Sequence, residues 1–451
     1  MAVLSVLALA LLSTGAAAKV CTNVTVPVDI NARQGVFDVP VLQGNLDATT
    51  FAQNFTNIGR NFTDDALVDY QTVTGRYNIS AKFCRPDQEN GTNPTVQVLT
   101  HGIGFDKSYW DIPFNAYNYS YIDVAVDDYG FSTVSIDRFG IGNSSKGDPL
   151  NLIQAPAEVS ALYEITKMLR AGTFPTVDTA FKKIVHVGHS FGSVQSYLLS
   201  ALDPTATDGL VLTGWSLNAT WLPLTLADWN VHLARLNQPL RFGNISTSAV
   251  QQAYSYLDSF GAGNTDLVEI LDRALALVGI DISRQDIWEE LATTEVGDIV
   301  NGVNETVTPI PQDLPTGYLT WVDFTANQFA FLLPGFYDLA LGLFSERTKQ
   351  PVTLGEIFTL GNGAPPTTPF SGPVQIVTGR QDVIYCGGDC LATGGVAESI
   401  PAMAQMAFPN ASAFEAYIQP NTGHGINAHY NSTGAYHVIQ QWLLSQGLGS
   451  S

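Results

Sequence analysis

Ile184-Val185-His186-Val187-Gly188-His189-Ser190-Phe191-Gly192 is the stretch that decides the fold. Ile184–Val187 is a near-continuous apolar run of the kind buried in a parallel sheet. Helical spacing follows over Phe191–Leu202. Between them, Gly188-x-Ser190-x-Gly192 has the form of a nucleophile elbow, in which glycines permit a crowded turn that lifts a serine hydroxyl above the strand ends. The tripeptide alone is a weak signal. The strand before it and the helix after it give it meaning.

Outward from the elbow, β-branched runs alternate with helical patterns, which predicts an α/β fold with a mainly parallel sheet. Tyr77–Phe83, Val96–Thr100, Thr133–Asp137, Gly209–Trp215, Pro373–Thr378 and Phe414–Ile418 read as strands. Ala155–Leu169, Val396–Ala407 and Ala435–Ser445 read as helices. Over 216–365 the strand rhythm stops, and helical patterns take its place at Ser248–Phe260, Leu267–Val278, Gln285–Leu291 and Phe324–Leu343. This predicts a helical cap inserted into one core made of 76–215 and 366–446. Within the cap, Phe329–Phe344 is strongly apolar but broken by Pro334, Gly335 and Asp338, so it reads as a helical pair lining an apolar cavity rather than a membrane span.

A serine nucleophile needs a base, and the base needs an orienting acid. His424, in the loop after Phe414–Ile418, is placed to reach Ser190; His429 is the competitor. His186 lies in the strand, His189 in the elbow, His232 in the cap and His437 in the last helix. Asp382 emerges just past Pro373–Thr378, with Asp389 as its rival. The other strand end where an acid could sit offers Ser216, Leu217 and Asn218 and no carboxylate. The oxyanion donors are expected to be the N–H groups of Phe191 and of Ile103, the latter in His101-Gly102-Ile103-Gly104. His101 reads as a residue holding that loop.

His101-Gly102-x-Gly104, Ile136-Asp137-Arg138-x-Gly140-x-Gly142-x-Ser144, Gly188-x-Ser190-x-Gly192, Gly379-x-x-Asp382 and Gly423-His424 stand in order at strand ends. Together they resemble the α/β-hydrolase family, in particular its cap-bearing, secreted fungal esterase and lipase-like members. The resemblance spans about residues 76–446 and implies an eight-stranded, mostly parallel sheet with helices on both faces, a Ser190–His424–Asp382 triad and no cofactor. A serine at the elbow argues against epoxide-hydrolase or dehalogenase chemistry, which on this fold resembles an Asp-nucleophile mechanism. The long segment before Arg76 and the long cap depart from the pattern.

The first 18 residues carry an apolar run, Val3–Leu12, then Ala16-Ala17-Ala18, as in a signal peptide; the run is too short to span a bilayer. Asn-x-Ser/Thr occurs at Asn23, Asn54, Asn61, Asn78, Asn90, Asn118, Asn143, Asn218, Asn244, Asn304, Asn410 and Asn431. Chance would give roughly four, so a glycosylated, secreted protein is expected, with 19–75 a glycan-rich segment. Asn143 and Asn431 lie near the site loops and are set apart as silent candidates. In an oxidising compartment the four cysteines should pair, Cys386 with Cys390 and Cys21 with Cys84. They lack the spacing of a zinc site.

Of 451 residues, 41 are acidic and 20 basic, a formal charge of −21, which disfavours nucleic-acid and anionic-lipid partners. The 45% hydrophobic content excludes a disordered chain. The substrate expected is a small ester, apolar or aromatic, since Trp221, Trp229, Trp288, Trp321, Phe329, Phe331, Phe336 and Tyr337 enrich the cap. Alternatives are a natural-product lactone or polyketide-derived ester, or an aminopeptidase using Glu289, Glu290 or Glu295. Non-hydrolytic alternatives are a lyase and a catalytically silent binding module.

Overall fold

The computed structural model describes residues 19–87, 94–244, 312–361 and 364–450. The expected signal segment, the three cap helices between 248 and 291, Trp288, the three glutamates, Asn90 and Asn304 lie outside these residues.

The described residues begin with a long antiparallel hairpin, β1 (Val20–Phe37) against β2 (Leu67–Arg85). In β1, Val24, Val26, Val28, Ile30 and Ala32 are buried, while Asn23, Thr25, Asp29 and Asn31 face solvent. This period of two places one face of the strand on the core. Each Val or Ile fully buried there contributes roughly 1.5–3 kcal/mol. Cys21 and Cys84 are directly opposed in the ladder and form a disulfide. The expected boundary at Arg76 therefore falls inside β2, and much of the segment 19–75 belongs to the core. The alternation Val24-x-Val26-x-Val28-x-Ile30 is the physical reason.

The remaining core strands are β3 (Thr95–Thr100), β4 (Ser132–Ile136), β5 (Lys183–His189) and β6 (Gly209–Thr213). After the insert, whose short strands are β7 (His232–Leu233), β8 (Tyr318–Thr320) and β9 (Val352–Thr353), come β10 (Val374–Gly379) and β11 (Phe414–Gln419). One eight-stranded sheet results, in the order β1-β2-β4-β3-β5-β6-β10-β11. β2 runs against both neighbours, and every other pair is parallel. The eight-stranded, mostly parallel sheet expected from the sequence is thus present.

Helices cover both faces. Val96, Val98 and Ile184 pack with Leu162 and Ile165 of one helix (Ala155–Ala171) and Leu199 of another (Phe191–Leu202). On the other face Leu99, Val187 and Val377 meet Ala435, Ile439 and Leu443 of the last helix (Ser432–Ser445).

The described part of the insert is not purely helical, because β7, β8 and β9 form a small antiparallel sheet. The pattern Phe324–Leu343 splits into α1 (Phe324–Phe331) and α2 (Leu339–Thr348). Pro334 cannot donate a helical hydrogen bond, and Asp338 restarts the helix by accepting from the Ala340 N–H at 2.8 Å. The helix expected over Val396–Ala407 shrinks to a 3₁₀ segment from Pro401. The loop between β1 and β2 also joins the cap: Phe51, Phe55 and Phe62 surround Phe358 at 5.5–6.0 Å between ring centres. None of the described helices is long and apolar enough to cross a membrane. Asn23, Asn61, Asn78, Asn118, Asn143, Asn244, Asn410 and Asn431 are exposed, and Asn54 and Asn218 half-buried.

Candidate active site

β5 runs straight into Ser190, whose backbone sits at φ 53°, ψ −117°, before the helix begins at Phe191. A non-glycine residue held in that region is strained, and such strain concentrates at functional sites. The Ser190 N–H is tied to Thr213 O at 2.9 Å. A side chain on Gly192 would run into the Thr100 carbonyl, and one on Gly102 would lie 2.8 Å from Ser190 Cβ. The loop after β3 therefore lies directly against the serine.

Asp382 follows β10 and caps a short helical turn, with Oδ1 accepting from the Tyr385 N–H at 2.9 Å. Its Oδ2 faces His424 Nδ1 at 2.7 Å, and both side chains are fully buried. A carboxylate only accepts, so the proton of this bond sits on Nδ1, and in the neutral imidazole Nε2 then carries the lone pair. Nε2 is buried and has no hydrogen-bond partner. The Ser190 hydroxyl does not bond it here; such bonds are often long in the free enzyme and tighten with substrate. Asp389 is half-exposed and paired with Arg380 instead.

The two expected oxyanion donors are held from behind. The Arg138 N–H donates to His101 Nε2 at 3.1 Å, so the His101 proton is on Nδ1, which donates to Gly102 O at 2.8 Å. Burial, with Arg138 nearby, holds His101 well below its usual pKa, consistent with a neutral ring. The bonded carbonyl shares a trans peptide with the Ile103 N–H, which therefore points the opposite way. Phe191 occupies the first helical turn, whose N–H groups have no intrahelical acceptor. Its ring lies under the Arg138 guanidinium at 4.8 Å. Arg138 in turn bonds Glu158 at 2.8 Å and also Glu356, all three fully buried. Burial pushes Glu158 well above the usual carboxylate range, with Arg138 pulling it back. Nothing in the local sequence announces this triad, because its members are distant in the chain.

The other histidines have partners of their own. His189 is stacked on Tyr109 at 4.4 Å and adjoins His424 at 4.9 Å. His186 bonds Thr166 inside the core. His437 contacts Tyr129, and His232 lies in β7. His429, the competitor of His424, has both ring nitrogens engaged by backbone groups.

Three cap aromatics close over the site. Phe331 lies 5.8 Å from His424 and 5.2 Å from Trp321, and Trp229 lies 6.0 Å from Phe331. Trp221, Phe329 and Phe336 are instead more than a third exposed. A shallow groove, open to solvent, runs beside this roof between Phe105, Tyr109, Ile112, Leu341, Phe344 and Ala428, with Asp106, Ser108, Ser345 and Thr348 also in its walls. Of the expected helical pair only α2 reaches this groove, through Leu341, Phe344, Ser345 and Thr348. Among the described residues no cluster of metal-binding side chains occurs.

No protein-family profile and no curated protein matches the sequence. Among solved structures the chain is similar to an esterase from Thermogutta terrifontis, at 13% identity and TM-score 0.38, covering 82% of this chain and 95% of that one. It is similar to an epoxide hydrolase from Vigna radiata at 13% identity and TM-score 0.40, with the same coverage. An epoxide hydrolase from Mycobacterium thermoresistibile shares 14% identity at TM-score 0.40, covering 81% and 95%. At this distance neither chemistry nor substrate transfers to this chain.

Proposed function

We propose that the chain is a serine hydrolase that cleaves a carboxylic ester with an apolar or aromatic acyl or leaving group. One relationship supports this reading: a buried Asp382–His424 pair with an unpartnered Nε2 packs at 4.9 Å against His189, the residue next to a serine strained at an elbow. In this mechanism Ser190 attacks the ester carbonyl, and His424 takes its proton and later returns it to the leaving alcohol. Asp382 keeps the imidazole in the required tautomer and stabilises the imidazolium. The N–H groups of Ile103 and Phe191 receive the oxyanion; one such donor is typically worth about 100–1000-fold in kcat. Water then resolves the acyl-enzyme by the same route. The apolar roof of Phe331, Trp321 and Trp229 supports an apolar substrate.

Export is part of the proposal. Two disulfides and exposed sequon asparagines are the features that support it. The direct test is a fluorophosphonate probe beside a panel of p-nitrophenyl esters of varied acyl length. Labelling and turnover that vanish in Ser190→Ala are expected. Equal labelling of Ser190→Ala, or none of the wild type, overturns the reading.

A further inference from the structure

His429 does something the triad does not require. Its Nε2 accepts two backbone N–H groups at once, from Gly423 at 3.1 Å and from Leu333 at 3.0 Å. Its Nδ1 donates to Gly425 O at 2.9 Å. The ring thus grips the backbone on both sides of His424 and, with the same nitrogen, the end of α1 in the cap. A second bond runs alongside, from the Gly425 N–H to Phe331 O at 2.8 Å. The two backbones touch here: a Cβ on Gly423 would lie 2.9 Å from Phe331 O and 3.2 Å from Leu333 N. Phe331 is also the residue whose ring roofs His424.

We propose that His429 is a positioning residue that fastens the loop of the general base to the cap, so that His424 stands correctly beside Ser190 only while the segment 331–333 is seated. The proposal rests on the serine-hydrolase reading above. Accepting two donors at Nε2 demands a neutral ring protonated on Nδ1. Burial holds His429 down to about 4, so the ring keeps that form through neutral pH. A catalytic base displaced by even 1 Å can lose about 100-fold in rate. A histidine serving only to fill space would need neither nitrogen.

The experiment compares His429→Phe, which keeps the bulk and loses both nitrogens, with His429→Gln, whose amide oxygen can replace Nε2 as acceptor. Three quantities are read: thermal unfolding, p-nitrophenyl ester kinetics, and the low-field proton resonance of the Asp382–His424 bond. The Phe variant is expected to lose about 100-fold in kcat and to broaden or lose that resonance while remaining folded. The Gln variant should recover most of both. If the Phe variant does not fold, His429→Asn, too short to reach both donors, takes its place in the same comparison. Wild-type kcat and resonance in the folded Phe or Asn variant, or a Gln variant no better than either, would overturn the proposal. If the wild type neither turns over esters nor takes the fluorophosphonate, the serine-hydrolase reading fails separately, and the resonance still decides on His429.

Discussion

The His424 imidazole donates through Nδ1 to Asp382 Oδ2 at 2.7 Å, and solvent reaches neither side chain. Asp382 Oδ1 is occupied by the Tyr385 N–H, so the carboxylate has one free edge, and it faces the imidazole. Asp382→Asn would present an amide there and favour the tautomer with its proton on Nε2, which cannot accept from Ser190. A fall in kcat of about 10,000-fold with the fold intact is expected. Steady-state kinetics alongside circular dichroism check it.

Arg138 answers two buried carboxyl groups, Glu158 and Glu356. Removing one partner of a buried ionic network strands the others, at a cost of about 3–5 kcal/mol. Arg138→Met should show that loss in denaturant unfolding. Adding Glu158→Gln and Glu356→Gln should recover part of it, because the stranded carboxyls are then gone.

Stability should fall with acid before the carboxylates titrate fully. Burial lowers His429 to about 4 and, with Arg170 adding to it, His186 to about 3. In the unfolded chain both titrate near 6.5. As pH drops below about 6.5, the unfolded state binds protons that the native state refuses, so the unfolding free energy decreases with falling pH. His429 alone accounts for up to about 3 kcal/mol, lost between pH 6.5 and about 4. Urea titrations across that range check it, and a flat profile would contradict neutral burial.

The two disulfides should differ in worth. Chain entropy removed from the unfolded state grows with the loop closed, and the bridges span separations of 63 and 4 residues. Replacing Cys21 and Cys84 by serine should cost about 4 kcal/mol, and replacing Cys386 and Cys390 about 2 kcal/mol. Paired unfolding curves measure the difference.

Much of the core and the candidate triad was legible because their signals are local. Gly188-x-Ser190-x-Gly192 is a turn written within five residues, and Asp382 and His424 each follow a strand that announces itself. The edge hairpin is written in the alternation at Val24, Val26, Val28 and Ile30, while the sequon asparagines of the same strands, such as Asn23 and Asn78, occupy its solvent-facing positions. His429 was a different case. Its role depends on an N–H from Leu333, 96 residues away, and no spacing in one sequence encodes that meeting. The same holds for Arg138 and Glu356, 218 residues apart. The short sheet of the cap was missed because strands of two or three residues carry no periodicity.

Ser190 precedes the insert, whereas Asp382 and His424 follow it. They are united by the parallel pairing of β6 with β10, Leu210 with Val374 through Thr213 with Val377. A peptide bond cut within the insert would therefore leave two chains zipped along the middle of one sheet, neither holding all three members of the proposed triad. Activity would survive such a nick for as long as the zipper held. It would disappear on separating the fragments and return on mixing them, which makes hydrolysis itself a gauge of whether the central seam is closed.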